Sequence, residues 1–380
     1  MKKLLNITLF TLLLVALLAI TGCSNDEADA TSDQNNSSEE NNAANENEES
    51  NENDEVVELG GKLVVYSSRN EKFTQDLLDK FEAETGVEVV ALHGAEPLQL
   101  LEEARNVQAD VFISNDLGAL GFLHGQGILA GANPEGIETI PAQFRADDNA
   151  YFAISTRARG FIYNKDLISE EELPTGNEDL FDVKWSEVPG GYAITRGGNG
   201  GMTGHVSALR YAWGDEKTSE WIAAIKENAA GIYQGHGDIR QAVGNGEHAF
   251  GLVNNYYFHQ QLLEENNNVG FIYLDQEDGE MGAIANAAGV GLVAGGPNEA
   301  NALAFLEWVL LPENQVAFVG TSLELLINSE YGAEYPEEVA PHVVNFSDLQ
   351  VQDMPLGELG NYFEGTKELI ERSGLDLELR

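Results

Sequence analysis

Beyond residue 61 the chain alternates short apolar runs with stretches whose apolar residues recur every three or four positions. Lys62-Leu-Val-Val-Tyr66 reads as a buried strand, and Phe73, Leu77, Leu78 and Phe81 then fall on one helical face. Gly86 stops that helix and Val87-Glu-Val-Val90 resumes as a strand, completing a β-α-β unit. The alternation continues with a helix over Leu98 to Ala104, a strand at Asp110 to Ser114 and a helix from Leu117 to His124. This pattern predicts a doubly wound α/β fold. Such sheets take ligands in the crevice beyond the carboxyl ends of their strands, so the turns after Tyr66 and Ser114 are candidate ligand loops.

Farther along, Phe152 to Asn164 reads as a strand that could cross between two lobes, and it carries Arg157 and Arg159 in a chain with only 20 Lys and Arg. Glu220 to Glu227 and Asp238 to Val243 read as helical, and Phe250 to Val253 is a short strand ending at Asn254-Asn255-Tyr256-Tyr257. Phe258 to Leu263 starts a helix, Ala288 to Val293 is a strand, Ala302 to Leu311 a helix, and Leu356 to Ser373 a final helical region. The body is long enough for two domains of ordinary size.

The N-terminal end has a different character. Met1-Lys2-Lys3 is basic and Leu4 to Ile20 almost purely apolar, the layout of a secretory signal peptide over residues 1–22. The run ends in Leu18-Ala19-Ile20-Thr21-Gly22-Cys23, which resembles the bacterial lipobox, whose cysteine is lipidated and becomes the new N-terminus. An ordinary signal peptide with an incidental cysteine, or an uncleaved anchor helix, is the alternative. Cys23 is the only cysteine, so an internal disulfide is excluded and any metal in the body must use oxygen or nitrogen ligands. From Ser24 to Glu58 the chain is Asn, Glu, Asp, Ser and Ala with no Lys or Arg, a composition that cannot offset its ordering entropy. Residues 23–58 are therefore expected to be a lipidated cysteine and a disordered acidic tether.

The formal net charge of -44 speaks against a nucleic-acid partner, which needs a basic patch, and against docking on anionic lipid. Solvated carboxylates adapted to a saline habitat account for it without a functional patch. With so many carboxylates, counting them cannot locate a catalytic pair.

Asn254-Asn255-Tyr256-Tyr257 carries the most specific chemistry. Two adjacent phenols at a strand-to-helix turn can face one cation, and phenolate oxygen suits a hard, highly charged ion such as Fe(III). Binding would release the phenol protons. The plainer reading of such a pair is core packing with polar tips at the surface. Gly197-Gly198-Asn199-Gly200-Gly201-Met202-Thr203-Gly204 suits an anion, because glycines let N–H groups approach and a helix follows; otherwise it is a flexible turn. It lacks the lysine of a nucleotide-binding P-loop. The seven histidines show no zinc spacing, and His205 and His236 could flank the anion zone. Arg157 or Arg159 could hold an anion or pair with a carboxylate. No nucleophile elbow is present and, with Cys23 lipidated, no catalytic thiol, so the chain is not expected to be an enzyme.

From about Gly61 to Leu379 the chain resembles the ferric-iron-binding proteins of ABC importers, two-lobed and transferrin-like. The resemblance rests on Val65-Tyr66-Ser67-Ser68-Arg69, Ala109-Asp110-Val111-Phe112, Thr156-Arg157-Ala158-Arg159 with Ile162-Tyr163-Asn164, Gly246-Glu247, Asn254-Asn255-Tyr256-Tyr257 and Ala288-Gly289-Val290-Gly291, in the family's order and spacing. It implies a class II periplasmic-binding-protein fold with a cleft between an α/β lobe at 61–150, joined by a return segment near 286–337, and a second lobe at 151–285 with the C-terminal 338–380.

The same resemblance places Fe(III) on Tyr256 and Tyr257. The family's first-lobe donors fall on Asn70 and Glu71, its carboxylate falls near Asn115 with Asp116 adjacent, and a third tyrosine falls where this chain has Gly200-Gly201. The further oxygen donors that Fe(III) needs could then come from Glu71, from Asp116, from water or from a bound anion. A synergistic carbonate or phosphate would lie by Gly200, Gly201, Thr203, His205, His236 and Asn254, with Arg157 or Arg159 beside it. The implied partner is an importer permease, and the implied protein is a monomer anchored by lipid on the outer face of a Gram-positive-type membrane. An organic or phosphorus-containing anion, or a thiamine-like compound, is the alternative ligand for the same architecture.

Overall fold

A computed structural model describes residues 59–377 and 379–380. The expected leader, Cys23 and the expected tether lie outside the described residues. In chain order the elements are β1 (Lys62–Ser67), α1 (Gln75–Thr85), β2 (Glu88–His93), α2 (Pro97–Glu103), β3 (Val111–Ser114), α3 (Leu117–Gly125), β4 (Tyr151–Asn164), β5 (Tyr192–Thr195), α4 (Gly200–Asn228), β6 (Gly231–Tyr233), α5 (His236–Gly244), β7 (Phe250–Asn254), α6 (Asn255–Leu262), β8 (Val269–Tyr273), β9 (Ala285–Leu292), α7 (Glu299–Leu310), α8 (Pro312–Ser322) and α9 (Leu359–Ser373), joined by loops and short 3-10 turns.

Local chemistry explains the boundaries. In α1, Leu77, Leu78 and Phe81 form the buried stripe, and Gly86 ends the helix in the left-handed region at φ 73°, a conformation that costs a residue without Cβ almost nothing. The Asp116 carboxylate caps α3 by accepting from the Ala119 N–H at 2.8 Å, and Asn199 caps α4 by accepting from Gly201 N–H at 2.9 Å. Helix α4 is broken at Gly214, whose φ of 79° and ψ of 173° are non-helical.

The strands run in the order β2-β1-β3-β9-β4-β7-β5-β6, with β8 also on β4. β1 is parallel to β2 and β3, while β5 is parallel to β6 and β7. Between these two parallel groups lies β4, fourteen residues long and buried throughout. Its first part, Tyr151 to Ala158, pairs antiparallel with β9, and from Arg159 onward it pairs with β7 and β8. The expected crossing strand is thus one physical object serving both halves of a two-lobed α/β protein. A large core spans most of the molecule, and a second cluster built on Ile162, Ala193, Ile239, Val253 and Phe258 fills the far side of the second half.

Three differences from the sequence pattern have physical causes. The glycine stretch is mostly helix, because Asn199 caps it and the helix begins at Gly200. Helix α6 begins at Asn255, so the tyrosine pair sits inside its first turn. The strands β5 and β8, at four and five residues, are too short to show a period, and β8 is only partly buried.

Candidate functional site

The carboxyl ends of the parallel strands carry almost every residue singled out above. β1 ends at Ser67 before Arg69, Asn70 and Glu71; β3 ends at Ser114 before Asn115 and Asp116; β5 ends at Thr195 before the glycines; and β7 ends at Asn254 before the tyrosines. Arg159 on antiparallel β4 lies in register with Asn254, which sets its guanidinium beside the end of β7.

The second-half wall is organised by Arg159, which is 4 % exposed. Its Nε donates to His205 Nδ1 at 3.3 Å, and its Nη1 donates to His236 Nε2 at 2.6 Å and to Asn254 Oδ1 at 3.4 Å. Among the described residues no carboxylate is hydrogen-bonded to it. Burial brings its pKa down to about 9, with the two tyrosines pulling it back up and Arg157 pushing it down further. His205 stacks on Trp221 at 5.2 Å. Burial first, and then the Arg159 charge, hold both His205 and His236 well below the ordinary imidazole range. Both rings are neutral at physiological pH.

Tyr256 and Tyr257 lie side by side with ring centroids 4.5 Å apart, and the His236 ring stands edge-on to Tyr257 at 5.0 Å. Both are half-buried. Burial, the field of Tyr256 and a hydrogen bond with it raise the Tyr257 phenol above its usual value, with Arg157 opposing. A phenol in that position loses its proton when a cation replaces it. Asn255 holds α6 to the crossing strand by accepting from the Ala158 N–H at 3.1 Å.

On the first-half wall, Glu324 receives Arg69 at 3.1 and 3.4 Å, Arg157 at 3.4 Å and the Ser155 hydroxyl at 2.6 Å. Arg157 also donates to the Asn115 carbonyl. Of the two options open for the arginines, Arg157 takes the carboxylate, while among the described residues none pairs with Arg159. Asn115 is pinned by donating Nδ2 to the Ser68 carbonyl at 2.8 Å.

Of the two substitute donors, Asp116 spends Oδ1 on the α3 cap. The residue keeps partial exposure, yet burial of its carboxyl raises the pKa against the pull of the cap and of Arg157. Glu71 is exposed on a 3-10 turn that Asn70 caps. Among the described residues no three His, Cys, Asp or Glu side chains gather as a metal site, so the phenols are the distinctive donors. In the glycine stretch Gly201 N–H is taken by Asn199, and the Thr203 hydroxyl turns back to the carbonyls of Gly197 and Asn199 at 3.3 and 3.2 Å. Gly200, exposed, opens the helix. A Cβ at Gly201 would lie 2.7 Å from the His236 ring, so the glycine is what lets α4 and α5 start side by side.

A family model for bacterial extracellular solute-binding proteins matches residues 66–316. The chain belongs to that family. This solute-binding protein is 31 % identical over 323 residues to "Iron uptake protein A1" of Synechocystis sp., covering 82 % of this chain and 86 % of the relative. It is 25 % identical over 322 residues to the "Fe(3+)-binding periplasmic protein" of Serratia marcescens, covering 82 % and 90 %. Among solved structures it resembles Trichodesmium IdiA (FutA) in complex with iron and citrate ligands, with a TM-score of 0.71, 26 % identity, and 83 % of this chain covering all of that one. Glu324 and Thr195 went unnoticed in the sequence, and Asn255 stood out only as part of the tyrosine motif. Glu324 is one of 64 acidic residues, and only its burial separates it from the rest.

Proposed function

We propose that this chain captures ferric iron outside the cytoplasm, with an accompanying anion, and delivers it to an ABC-importer permease. The observation that carries the reading is the pair of phenols at the start of α6, tilted against each other with ring centroids 4.5 Å apart and in the positive field of Arg159. Phenolates are the hard anionic donors that Fe(III) selects. The relatives named for iron uptake and Fe(3+) binding agree with it. Arg159 with His205, His236 and Asn254 supplies the anion side, and Glu71 and Asp116 are the first carboxylates after the ends of β1 and β3.

Closure of two lobes about β4 would couple capture to a shape that the permease reads. We divide the lobes at 61–150 with 286–337, and 151–285 with 338–380; α9 packs on both α3 and α4, bracing the two halves. Lipidation of Cys23, with residues 24–58 as tether, would hold a monomeric receptor at the outer membrane face. Capture, rather than catalysis, is the role.

The test is an absorbance titration of the metal-stripped full chain with ferric citrate, repeated on Tyr256→Phe and Tyr257→Phe. A visible phenolate-to-iron band saturating at one equivalent, and lost in both variants, is expected. No band, and no stabilisation by iron in a parallel melt, would overturn the reading.

A further inference from the structure

We infer that His259 is a positioning residue for the iron site: it ties the helix that carries Tyr256 and Tyr257 to the turn at 323–325 beside the crossing strand, so that this turn sets how the two phenols are presented. The inference deepens the ferric reading and rests on it for what the phenols bind.

Helix α6 is fastened from its buried side at two points. Asn255 and His259, four residues apart, share one face of the helix, and both are fully buried. Asn255 accepts from the Ala158 N–H on β4 at 3.1 Å, and His259 Nδ1 meets the Leu323 carbonyl at 2.7 Å. A carbonyl only accepts, so Nδ1 carries the proton and Nε2 is bare. Nε2 has no partner among the described residues. A buried nitrogen left unmatched is costly, and an apolar side chain would fill the space without that cost. What the imidazole adds is therefore the bond to Leu323. The two tyrosines lie in the chain between these fasteners.

The turn that receives His259 is strained. Leu323 ends α8 in the left-handed region at φ 59°, ψ 19°, which a residue with a Cβ holds only where its surroundings enforce it. Its N–H donates to the Val319 carbonyl at 2.7 Å and its side chain is buried. The residues that follow are bound to the crossing strand. The Glu324 carboxylate takes Arg69, Arg157 and Ser155, and its carbonyl accepts from the Tyr335 hydroxyl at 2.7 Å. Leu325 exchanges two backbone bonds of 2.8 Å with Thr156. Thr156 stands three residues before Arg159, where the pairing of β4 passes from β9 to β7. A closing motion about β4 turns on this point, and the His259 bond carries it to the phenols.

The experiment times the decay of the phenolate-to-iron band when the iron-loaded full chain is mixed with excess EDTA, in wild type, His259→Leu and His259→Asn. Leucine keeps much of the volume and has no donor, whereas asparagine is smaller but puts its amide nitrogen where Nδ1 stands. H259L is expected to release iron about tenfold faster, the factor that one hydrogen bond supplies, with a displaced band maximum. H259N is expected to keep the wild-type band and to release iron within about threefold of wild type, even if its melting temperature falls further. Should H259L fail to fold, His259→Gln, whose donor lies one bond farther out, replaces it with the same expectation. A role in packing alone would move the melting temperatures and leave band and release rate alike in every folded variant; that result overturns the assignment, as does an H259N that releases iron as fast as H259L. A wild type without a band overturns the ferric reading and this assignment together, whereas a wild-type band with indistinguishable variants overturns this assignment alone.

Discussion

Replacing Glu324 by glutamine tests the buried charge network where β4 meets the turn after α8. Glu324 is 2 % exposed, and Arg69 and Arg157 beside it are 3 % and 8 % exposed. Burial pushes its carboxyl pKa up, but Arg69, Arg157 and the Ser155 hydroxyl outweigh it and hold the pKa below the ordinary value. Glu324→Gln preserves the shape and part of the hydrogen bonding while leaving two buried guanidiniums without a counter-charge. Losing one partner of a buried ion pair costs about 3–5 kcal/mol. The surviving amide oxygen places this case near the lower end, about 3 kcal/mol, or a fall in Tm of about 4–5 °C for a folded body of this size. Urea unfolding and calorimetry of both proteins measure it. Because the folded pKa lies below the unfolded one, the carboxylate contributes fully above about pH 4.3 and its contribution disappears as pH falls through the folded value. The gap between wild type and variant should be constant from pH 7 to 5 and close in stronger acid. Equal stability at pH 7, or a gap that persists unchanged at pH 3, would refute the argument that charge pairing holds this junction.

Three further outcomes are expected. Iron binding should displace both phenol protons, so the apparent iron affinity should rise by up to about a hundredfold per pH unit near neutrality; an affinity independent of pH would exclude phenolate ligation. Gly201→Ala drives a methyl to within 2.7 Å of a His236 ring that Arg159 fixes in place, and a loss of about 1–3 kcal/mol with weakened anion binding is expected; unfolding curves identical to wild type would show that the ring moves freely. Asp275 is 6 % exposed, and burial raises its pKa to about 6, against the pull of Asn177. Its ionisation therefore costs stability, on the order of 3 kcal/mol, above about pH 6, and none below about pH 4. Asp275→Asn should flatten the decline in stability between those values, as read from urea midpoints, and an unaltered pH profile would count against the burial argument.

How much of this was legible in the chain depends on the range of the interaction. The β-α-β alternation through β3, the stop at Gly86 and the strand ending at Asn254 are local signals, and the structure follows them closely. The start of α4 was hidden because three glycines suggest a turn, while the cap from Asn199 and the burial of Met202, His205 and Val206 pull the segment into a helix. The tyrosine pair could be read because adjacency in sequence is adjacency in the site. Glu324 could not, since its partners lie 167 to 255 residues away.

Arg157 and Arg159 show most clearly where sequence reasoning stops. Two residues apart on a strand, they project from the same face, and their sequence surroundings are nearly alike, so pairing with a carboxylate and holding an anion were equally open to each. What separates them is the change of neighbour along β4: Arg157 is in register with Asn286 on β9, whereas Arg159 is in register with Asn254 on β7. The first therefore meets the network of the first half, where Glu324 neutralises it. The second meets two helix starts whose histidines can only accept its protons, and it keeps its charge available. A crossing strand thus gives one short motif two electrostatic settings, one that fixes the junction and one that leaves a buried guanidinium with no carboxylate partner among the described residues.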